Sequence, residues 1–333
     1  MPKLSSSGPA MPAASGNNSN RTDAMILCLG TTPAVQRVMV FRQVVLDQVN
    51  RAVATYQGAA GKAVNVAKVL QVLGATPVAI GFLGGATGEF LRATLAAQGI
   101  ETDFVTVQAP TRMCVTVIDQ AAGTTTELVE ESAPVDPADF DRLLELVTRR
   151  LPGCRGLVMS GTLAPGGPPD LYAQCIRLAR AAGVLTVLDA TGQALMSALP
   201  AQPNVVKPNR TELAASLGRA LPDEAAVLEA MDQLRDRGAQ QVVVTSSRAP
   251  VLACDGQRRW RITPPQIQPV NPIGSGDAFA AGLIWRLTCG DDLAAACRWA
   301  CAAGAANALT LLPGEVQREA VERLVQQVTV QEI

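Results

Sequence analysis

Short runs rich in valine, isoleucine and leucine alternate along this chain with longer stretches rich in alanine and leucine. The apolar runs lie at 26–29, 77–82, 156–159, 185–189, 205–207 and 241–245. Helical spacing of apolar residues predicts helices at 64–73, 87–98, 137–150, 169–182, 225–237, 278–287 and 292–309. Because strands that are apolar throughout are buried on both faces, the alternation predicts an α/β fold in which helices cover a central, mostly parallel sheet.

Four strand-like segments interrupt this alternation and come in pairs without a helix between them. They lie at 36–41, 51–56, 113–119 and 124–130 and predict antiparallel excursions that form a small second sheet. Residues 1–23 are rich in Ser, Gly, Pro, Ala and Asn, which predicts a disordered tail ahead of one domain at 24–333. The small sheet would be drawn from about 36–56 and 112–131 of that domain.

Composition narrows the classes of function. The chain is 48% hydrophobic and 17% charged, which indicates a soluble globular protein, and its formal net charge is -1. Such a balance gives no electrostatic reason to expect nucleic acid or an anionic membrane as a partner. No run approaches the roughly 20 apolar residues of a membrane span, so small molecules are the expected partners.

The chain contains no histidine, which excludes Ser-His-Asp and Cys-His catalysis and every histidine-based metal site. Acid–base chemistry must therefore come from carboxylates or lysine. The eight cysteines are scattered and form no Cys-x-x-Cys pair, as expected for a protein of the reducing cytoplasm.

The segment 270–282 combines a glycine turn, a carboxylate and the start of a helix. Gly274 and Gly276 let successive backbone N–H groups around Ser275 point one way, and a helix start adds positive potential, so the turn predicts an anion site. Asp277 follows directly and would take the proton of an attacking hydroxyl. The pattern thus predicts a phosphoryl-transfer site, and the simpler alternative is a glycine turn with Asp277 as an ordinary helix N-cap.

The amino-acid sequence of this turn resembles a known family signature. Asn-Pro-Ile-Gly-Ser-Gly-Asp at 271–277 resembles the C-terminal signature of the PfkB, or ribokinase-like, carbohydrate kinases. It is most similar to the branch that holds 1-phosphofructokinase and tagatose-6-phosphate kinase. The resemblance spans about residues 25–319 and implies a three-layer fold with a small β-sheet lid over the sugar site.

A second motif resembles the N-terminal signature of the same family. It consists of the turn Gly61-Lys62 followed by Asn65 at the start of a helix. A P-loop is excluded here, because Tyr56 stands where its first glycine is needed and Ala63 stands where its Ser or Thr is needed.

The resemblance implies ATP-dependent phosphorylation of a ketohexose phosphate to the bisphosphate. Fructose 1-phosphate, fructose 6-phosphate and tagatose 6-phosphate remain open as substrates. Asp277 would be the base, and the amides of Gly274, Ser275 and Gly276 would hold the transferred charge. The residues implied on the substrate side are Gln36, Gly61, Lys62, Asn65, Arg112 and Ser160, of which Lys62 and Arg112 would bind the substrate phosphate.

The resemblance also implies a nucleotide side and its ions. The residues expected there are Lys207, Asn209, Thr245, Ser247 and Asn307. Asn209 and Glu212 would organise Mg²⁺, mostly through water, although their spacing is equally that of a helix capping box. A monovalent cation such as K⁺ near Asn271 and Ile273, and a homodimer formed through the lid, are further implications.

Two departures from the family pattern leave rival functions open. Gln36 stands where the family usually has an aspartate, and the loop at 245–250 lacks two of the family's glycines. The rivals are a catalytically weak regulatory protein that binds a sugar phosphate, and a kinase for an unphosphorylated sugar. The retained Asp277 disfavours the first rival, and the pairing of Lys62 with Arg112 disfavours the second.

Overall fold

The computed structural model describes residues 25–333, and the tail expected at 1–23 lies outside them. The strands are β1 (Met25–Gly30), β2 (Ala34–Phe41), β3 (Ala54–Ala60), β4 (Thr76–Leu83), β5 (Glu101–Thr106), β6 (Arg112–Asp119), β7 (Thr124–Val129), β8 (Cys154–Ser160), β9 (Leu185–Asp189), β10 (Val205–Val206), β11 (Gln241–Ser246), β12 (Ala249–Cys254), β13 (Arg259–Thr263) and β14 (Thr329–Glu332). The α-helices are α1 (Lys62–Leu73), α2 (Gly85–Ala97), α3 (Pro137–Arg150), α4 (Leu171–Ala181), α5 (Gly192–Ala198), α6 (Arg210–Leu217), α7 (Glu224–Asp236), α8 (Ser275–Thr288), α9 (Leu293–Ala308) and α10 (Arg318–Leu324).

Ten of these strands form one sheet in the order β14-β13-β12-β11-β10-β9-β8-β1-β4-β5. The strands from β11 to β5 are all parallel, and β12, β13 and β14 extend one edge in antiparallel fashion. The six apolar runs all lie in the parallel part, so the expected mostly parallel sheet is confirmed. The sequence did not predict β5 or the antiparallel extension.

The parallel strands are buried on both faces because alternate residues enter two separate cores. In β1, Ile26 and Cys28 belong to one core, and Leu27 and Leu29 belong to the other. The first core also contains residues of α1, α2, α8, α9 and α10, and the second contains residues of α3 to α7. The result is a three-layer α/β/α arrangement.

The remaining four strands form a second sheet in the order β3-β2-β6-β7. The two hairpin-like pairs are antiparallel, as predicted, but the central pair β2 and β6 is parallel, with Ala34 opposite Arg112. The expected small second sheet built from antiparallel excursions is confirmed, whereas the parallel pairing of β2 with β6 was not predicted. The reason is that β2 and β6 begin two separate excursions, which follow β1 and β5 of one parallel sheet.

Among residues 25–333, none of the helices has both the length and the apolar character that a bilayer crossing requires.

Candidate active site

A cleft of about 360 Å³ lies between the carboxyl ends of the parallel strands and the second sheet. The chain places β4 and β5 on one side of β1 and β8 to β11 on the other, so the strand order reverses beside β1. Open parallel sheets bind ligands outside the carboxyl ends of their strands at such a reversal. The size of the cleft is also that of a small-molecule site.

Asp277 lies in this cleft as the third residue of α8. Gly274 is the N-cap of that helix and no side chain caps it, so the alternative of Asp277 as an N-cap does not hold. Instead Asn65 Nδ2 donates to Asp277 Oδ2 at 2.7 Å. The pKa of Asp277 is raised to about 7, chiefly by burial and also by the charge of Asp189, while the charge of Lys62 is the main influence that lowers it. A carboxylate with a pKa near neutrality is suited to general-base chemistry.

The turn before α8 presents unpaired backbone donors. Gly274 has a φ of 84°, a left-handed conformation that favours glycine. The Ser275 and Asp277 N–H groups donate to the carbonyls of Pro272 and Gly274 at 3.2 and 3.1 Å. Within residues 25–333 the N–H groups of Gly274 and Gly276 donate to no backbone acceptor, and both glycines line the cleft. We call these two amides at the helix start the anion hole.

Two lysines approach the same region and share one buried carboxylate. Lys207 Nζ lies 3.2 Å from Asp189 Oδ2, and Lys62 Nζ lies 3.9 Å from Asp189 Oδ1. Asp189 is chiefly responsible for a raised pKa of Lys62. A Cβ built on Gly276 would lie 3.8 Å from Lys207 Nζ, so that ammonium group is beside the anion hole.

The sequence did not single out Asp189 as a site residue. It is the last residue of β9, only 1% exposed, and it lines the cleft. Its position at the carboxyl end of a predicted parallel strand is the signal that would have identified it.

Asn209 and Glu212 form a capping box at the start of α6. Asn209 Oδ1 accepts from the Glu212 N–H, and Glu212 Oε2 accepts from the Asn209 N–H, both at 2.8 Å. Glu212 Oε1 lies 3.4 Å from Lys62 Nζ in the cleft. The capping interpretation therefore holds, and it leaves one carboxylate oxygen facing the site.

The donor set suits a metal that arrives with a polyphosphate. Residues 25–333 contain no group of three or more His, Cys, Asp or Glu that would hold a metal by themselves. Mg²⁺ commonly takes one or two carboxylates together with water and substrate phosphate oxygens. The hard oxygen donors of Glu212 and Asn209 fit that mode.

The second sheet supplies the opposite wall of the cleft. Gln36 is 3% exposed, and its Nε2 donates to Thr116 Oγ1 at 2.8 Å. Arg112 donates to the carbonyls of Glu130 and Thr32, both at 3.2 Å, and lines the cleft. Glu127, opposite Thr116 in the register of β6 and β7, is a further cleft residue that the sequence did not single out.

Some of the other expected site residues line the cleft, and others are buried beside it or exposed. Gly61 and Thr245 line the cleft. Ser160 is buried at the end of β8, and its Oγ has no partner among residues 25–333. Asn307 is fully buried behind the anion hole, where its Nδ2 donates to the carbonyl of Ile273. Ser247 is exposed in the turn between β11 and β12, with a φ of 45°.

Comparison with known proteins decides the family. A model of the pfkB family of carbohydrate kinases matches residues 23–316. The chain belongs to this family. The resemblance of its two signatures is thereby confirmed, and so is the ribokinase-like fold.

Several proteins that are similar to this chain are named as sugar-phosphate kinases. A tagatose-6-phosphate kinase of Staphylococcus epidermidis is 30% identical over 93% of this chain and 100% of its own length. A possible 1-phosphofructokinase of Thermotoga maritima has a TM-score of 0.85 at 26% identity, covering 93% and 99% of the two chains. Escherichia coli phosphofructokinase-2, solved in complex with potassium, has a TM-score of 0.84 at 27% identity, covering 92% and 98%.

Proposed function

We propose that this pfkB family member transfers the γ-phosphoryl group of ATP to a hydroxyl of a ketohexose phosphate and so forms the bisphosphate. The observation that carries the proposal is the juxtaposition of Asp277, the anion hole and Lys207 in one cleft. The relatives named tagatose-6-phosphate kinase and phosphofructokinase support this class of substrate.

The chemistry follows from the groups around Asp277. Its carboxylate accepts the proton of the attacking hydroxyl, while Asn65 holds the carboxylate in place. The free N–H groups of Gly274 and Gly276 stabilise the charge on the phosphoryl group in flight, and Lys207 adds a positive charge beside them. Most of the acceleration then comes from positioning and electrostatics, as expected for phosphoryl transfer.

We assign the substrate phosphate to Lys62 and Arg112. They reach the cleft from α1 and from β6, one from each wall. Gly61, Asn65, Gln36 and Ser160 are then proposed to orient the sugar.

We assign the nucleotide to the part of the cleft near α6 and β11. Lys207, Asn209 and Thr245 line the cleft there, and Ser247 and Asn307 complete the proposed set. When bound with ATP, Mg²⁺ would neutralise phosphate charge, with Glu212 and Asn209 as the residues that hold it.

A potassium site is proposed at the loop around Asn271 and Ile273, because E. coli phosphofructokinase-2 was solved in complex with that ion. The carbonyls of Ile273 and Leu311 each accept one amide bond here and retain a second lone pair, which suits a weakly hydrated cation. Activity measured in potassium and in sodium salts at equal ionic strength tests this site.

The second sheet is proposed to act as a lid and as the contact of a homodimer. Closure of the lid over the cleft would exclude water and suppress hydrolysis of ATP. We also propose a cytoplasmic location, because all eight cysteines lie within the described residues and none of them forms a disulfide.

A coupled assay of ADP release tests the function. The panel is fructose 1-phosphate, fructose 6-phosphate, tagatose 6-phosphate, fructose and ribose, each with ATP and Mg²⁺. We expect sugar-dependent turnover with at least one of the three phosphates and little with the free sugars. Turnover with only a free sugar, or binding of a sugar phosphate without turnover, would favour one of the rival functions.

A further inference from the structure

One buried charge near the cleft has no part in the proposed chemistry. Lys68 lies on α1, and its side chain is 5% exposed. Its ammonium group donates to the carbonyl of Pro313 at 2.8 Å and to that of Ala59 at 3.3 Å, and lies 4.0 Å from the Glu315 carboxylate. Burying an ammonium ion is costly unless strong acceptors surround it, so these contacts indicate a specific purpose for the charge.

The loop that Lys68 holds packs directly behind the site. We call residues 310–315 the back loop. A Cβ built on Gly274 would lie 2.6 Å from Pro313 Cβ, and one built on Gly314 would lie 2.9 Å from Asn65 Cα. Pro313 thus touches the anion hole, and Gly314 touches the residue that holds Asp277.

Asn307 closes the same network from α9. Its Oδ1 accepts from the Gly314 N–H at 2.7 Å, and its Nδ2 donates to the Ile273 carbonyl at 2.8 Å. The back loop is therefore connected on one side to the anion hole, through Asn307 and Pro313, and on the other side to α1, through Lys68.

We propose that Lys68 is a positioning residue for phosphoryl transfer, whose ammonium group holds the back loop against Gly274 and Asn65. This inference rests on the proposed function. The ammonium group donates to two carbonyl oxygens that converge on one side-chain terminus, and an apolar side chain would remove both of these bonds. Burial lowers the pKa of Lys68, and Glu315 opposes that shift, so the ion pair helps to keep the buried group charged.

Amide hydrogen exchange on the full chain tests the positioning role without reference to activity. Lys68→Met keeps an unbranched, mostly apolar side chain but removes the ammonium group. In this variant, exchange of the hydrogen-bonded amides of Ile273, Ser275, Gly314 and Glu315 should accelerate about tenfold or more. Exchange in α3, which lies on the other face of the sheet, should stay unchanged. Equal acceleration in α3 would show a general loss of stability and overturn the proposal, as would unchanged exchange at all of these amides.

Kinetics supply the second readout. In Lys68→Met, kcat should fall about tenfold to a hundredfold while KM for ATP changes little, because misplaced catalytic groups cost rate more than binding. Lys68→Arg should restore most of the lost rate, and Arg318→Met, on the exposed surface of α10, should behave like the parent. If Lys68→Met does not fold, Lys68→Gln takes its place, since its amide can still donate to one carbonyl.

Failure of the proposed role of Lys68 can be distinguished from failure of the proposed kinase function. A folded, uncharged variant with parental kcat contradicts the role of Lys68 alone, whereas a parent without sugar-dependent turnover contradicts the proposed function. In the latter case the exchange measurement still decides whether Lys68 fixes the back loop.

Discussion

At the residue scale, the cleft is organised around carboxylates and ammonium groups with opposing effects on one another. Burial favours the neutral form of Asp277, whereas the charge of Lys62 favours its ionised form. The resulting pKa of about 7, against an ordinary value of 3.8, keeps the base close to its point of titration at physiological pH.

This balance predicts how both activity and stability depend on pH. The parent's kcat/KM should rise as pH increases through about 7, because Asp277 must be ionised to accept a proton. Folding raises the pKa of Asp277, so the protonated carboxyl favours the folded state. This contribution to stability is fully present below about pH 4 and is lost as pH rises through about 7. Asp277→Asn, which carries no charge, should therefore gain Tm relative to the parent as pH increases from about 5 to about 8. A Tm difference that does not vary with pH would contradict the assigned environment.

Gln36 gives a second prediction at this scale. A carboxylate accepts two hydroxyl bonds, whereas an amide accepts fewer and offers donors, so sugar recognition should be weaker or differently selective than with an aspartate. Gln36→Asp is expected to raise kcat/KM for fructose 1-phosphate or tagatose 6-phosphate. Thr116→Val is the matched control, because it removes the bond from Gln36 without adding a carboxylate. If the parent is fully active and Gln36→Asp only impairs it, Gln36 is an adapted ligand.

At the scale of secondary-structure elements, the site depends on groups delivered from both sheets. Lys62 is the first residue of α1, and Arg112 is the first residue of β6. Lys62→Ala and Arg112→Ala should each weaken sugar-phosphate binding by about 1.5–3 kcal/mol, the value of a lost charged hydrogen bond, and spare ATP affinity. Calorimetry measures both affinities. Arg37→Ala serves as the control, because Arg37 follows the cleft residue Gln36 in β2 and its side chain therefore lies on the face of the sheet away from the cleft. Normal sugar-phosphate binding by either variant would place that cation elsewhere.

The strands that could be predicted from the sequence are those that are buried on both faces. Six parallel strands were evident because apolar residues fill them on both faces. By contrast, β5 at the sheet edge buries only Phe104 and Val105, and its charged neighbours hide the pattern. The parallel pairing of β2 with β6 depends on the path of the whole chain, so local alternation could not predict it.

The candidate site was predictable where a motif is continuous in sequence. The turn at 274–277 and the turn at Gly61 and Lys62 were both evident from adjacent residues. Asp189 and Lys68 were not, because their neighbours come from segments far along the chain, Lys62 for Asp189 and Pro313 for Lys68. A lone carboxylate after a strand looks in sequence like any polar turn residue.

At the scale of the whole molecule, the second sheet carries an exposed apolar tip between β2 and β3. Leu46 and Val49 are 89% and 86% exposed there. Such exposure fits the proposed homodimer, in which the tip would be covered by a second copy. We expect the double variant Leu46→Glu, Val49→Glu to shift sedimentation from dimer to monomer, and a parent that sediments as a monomer would contradict this contact.

The central claim is transfer of the ATP γ-phosphoryl group to a sugar phosphate with Asp277 as the base. The most direct measurement is ³¹P NMR of the parent and of Asp277→Asn with ATP, Mg²⁺ and each of the three ketohexose phosphates. The account predicts a new sugar phosphomonoester that forms in step with ADP. In Asp277→Asn the rate of its formation should be about 10²–10⁴-fold lower, with the fold and ATP binding retained. ADP accompanied only by inorganic phosphate, or a variant that keeps most of the parent's rate, would contradict it.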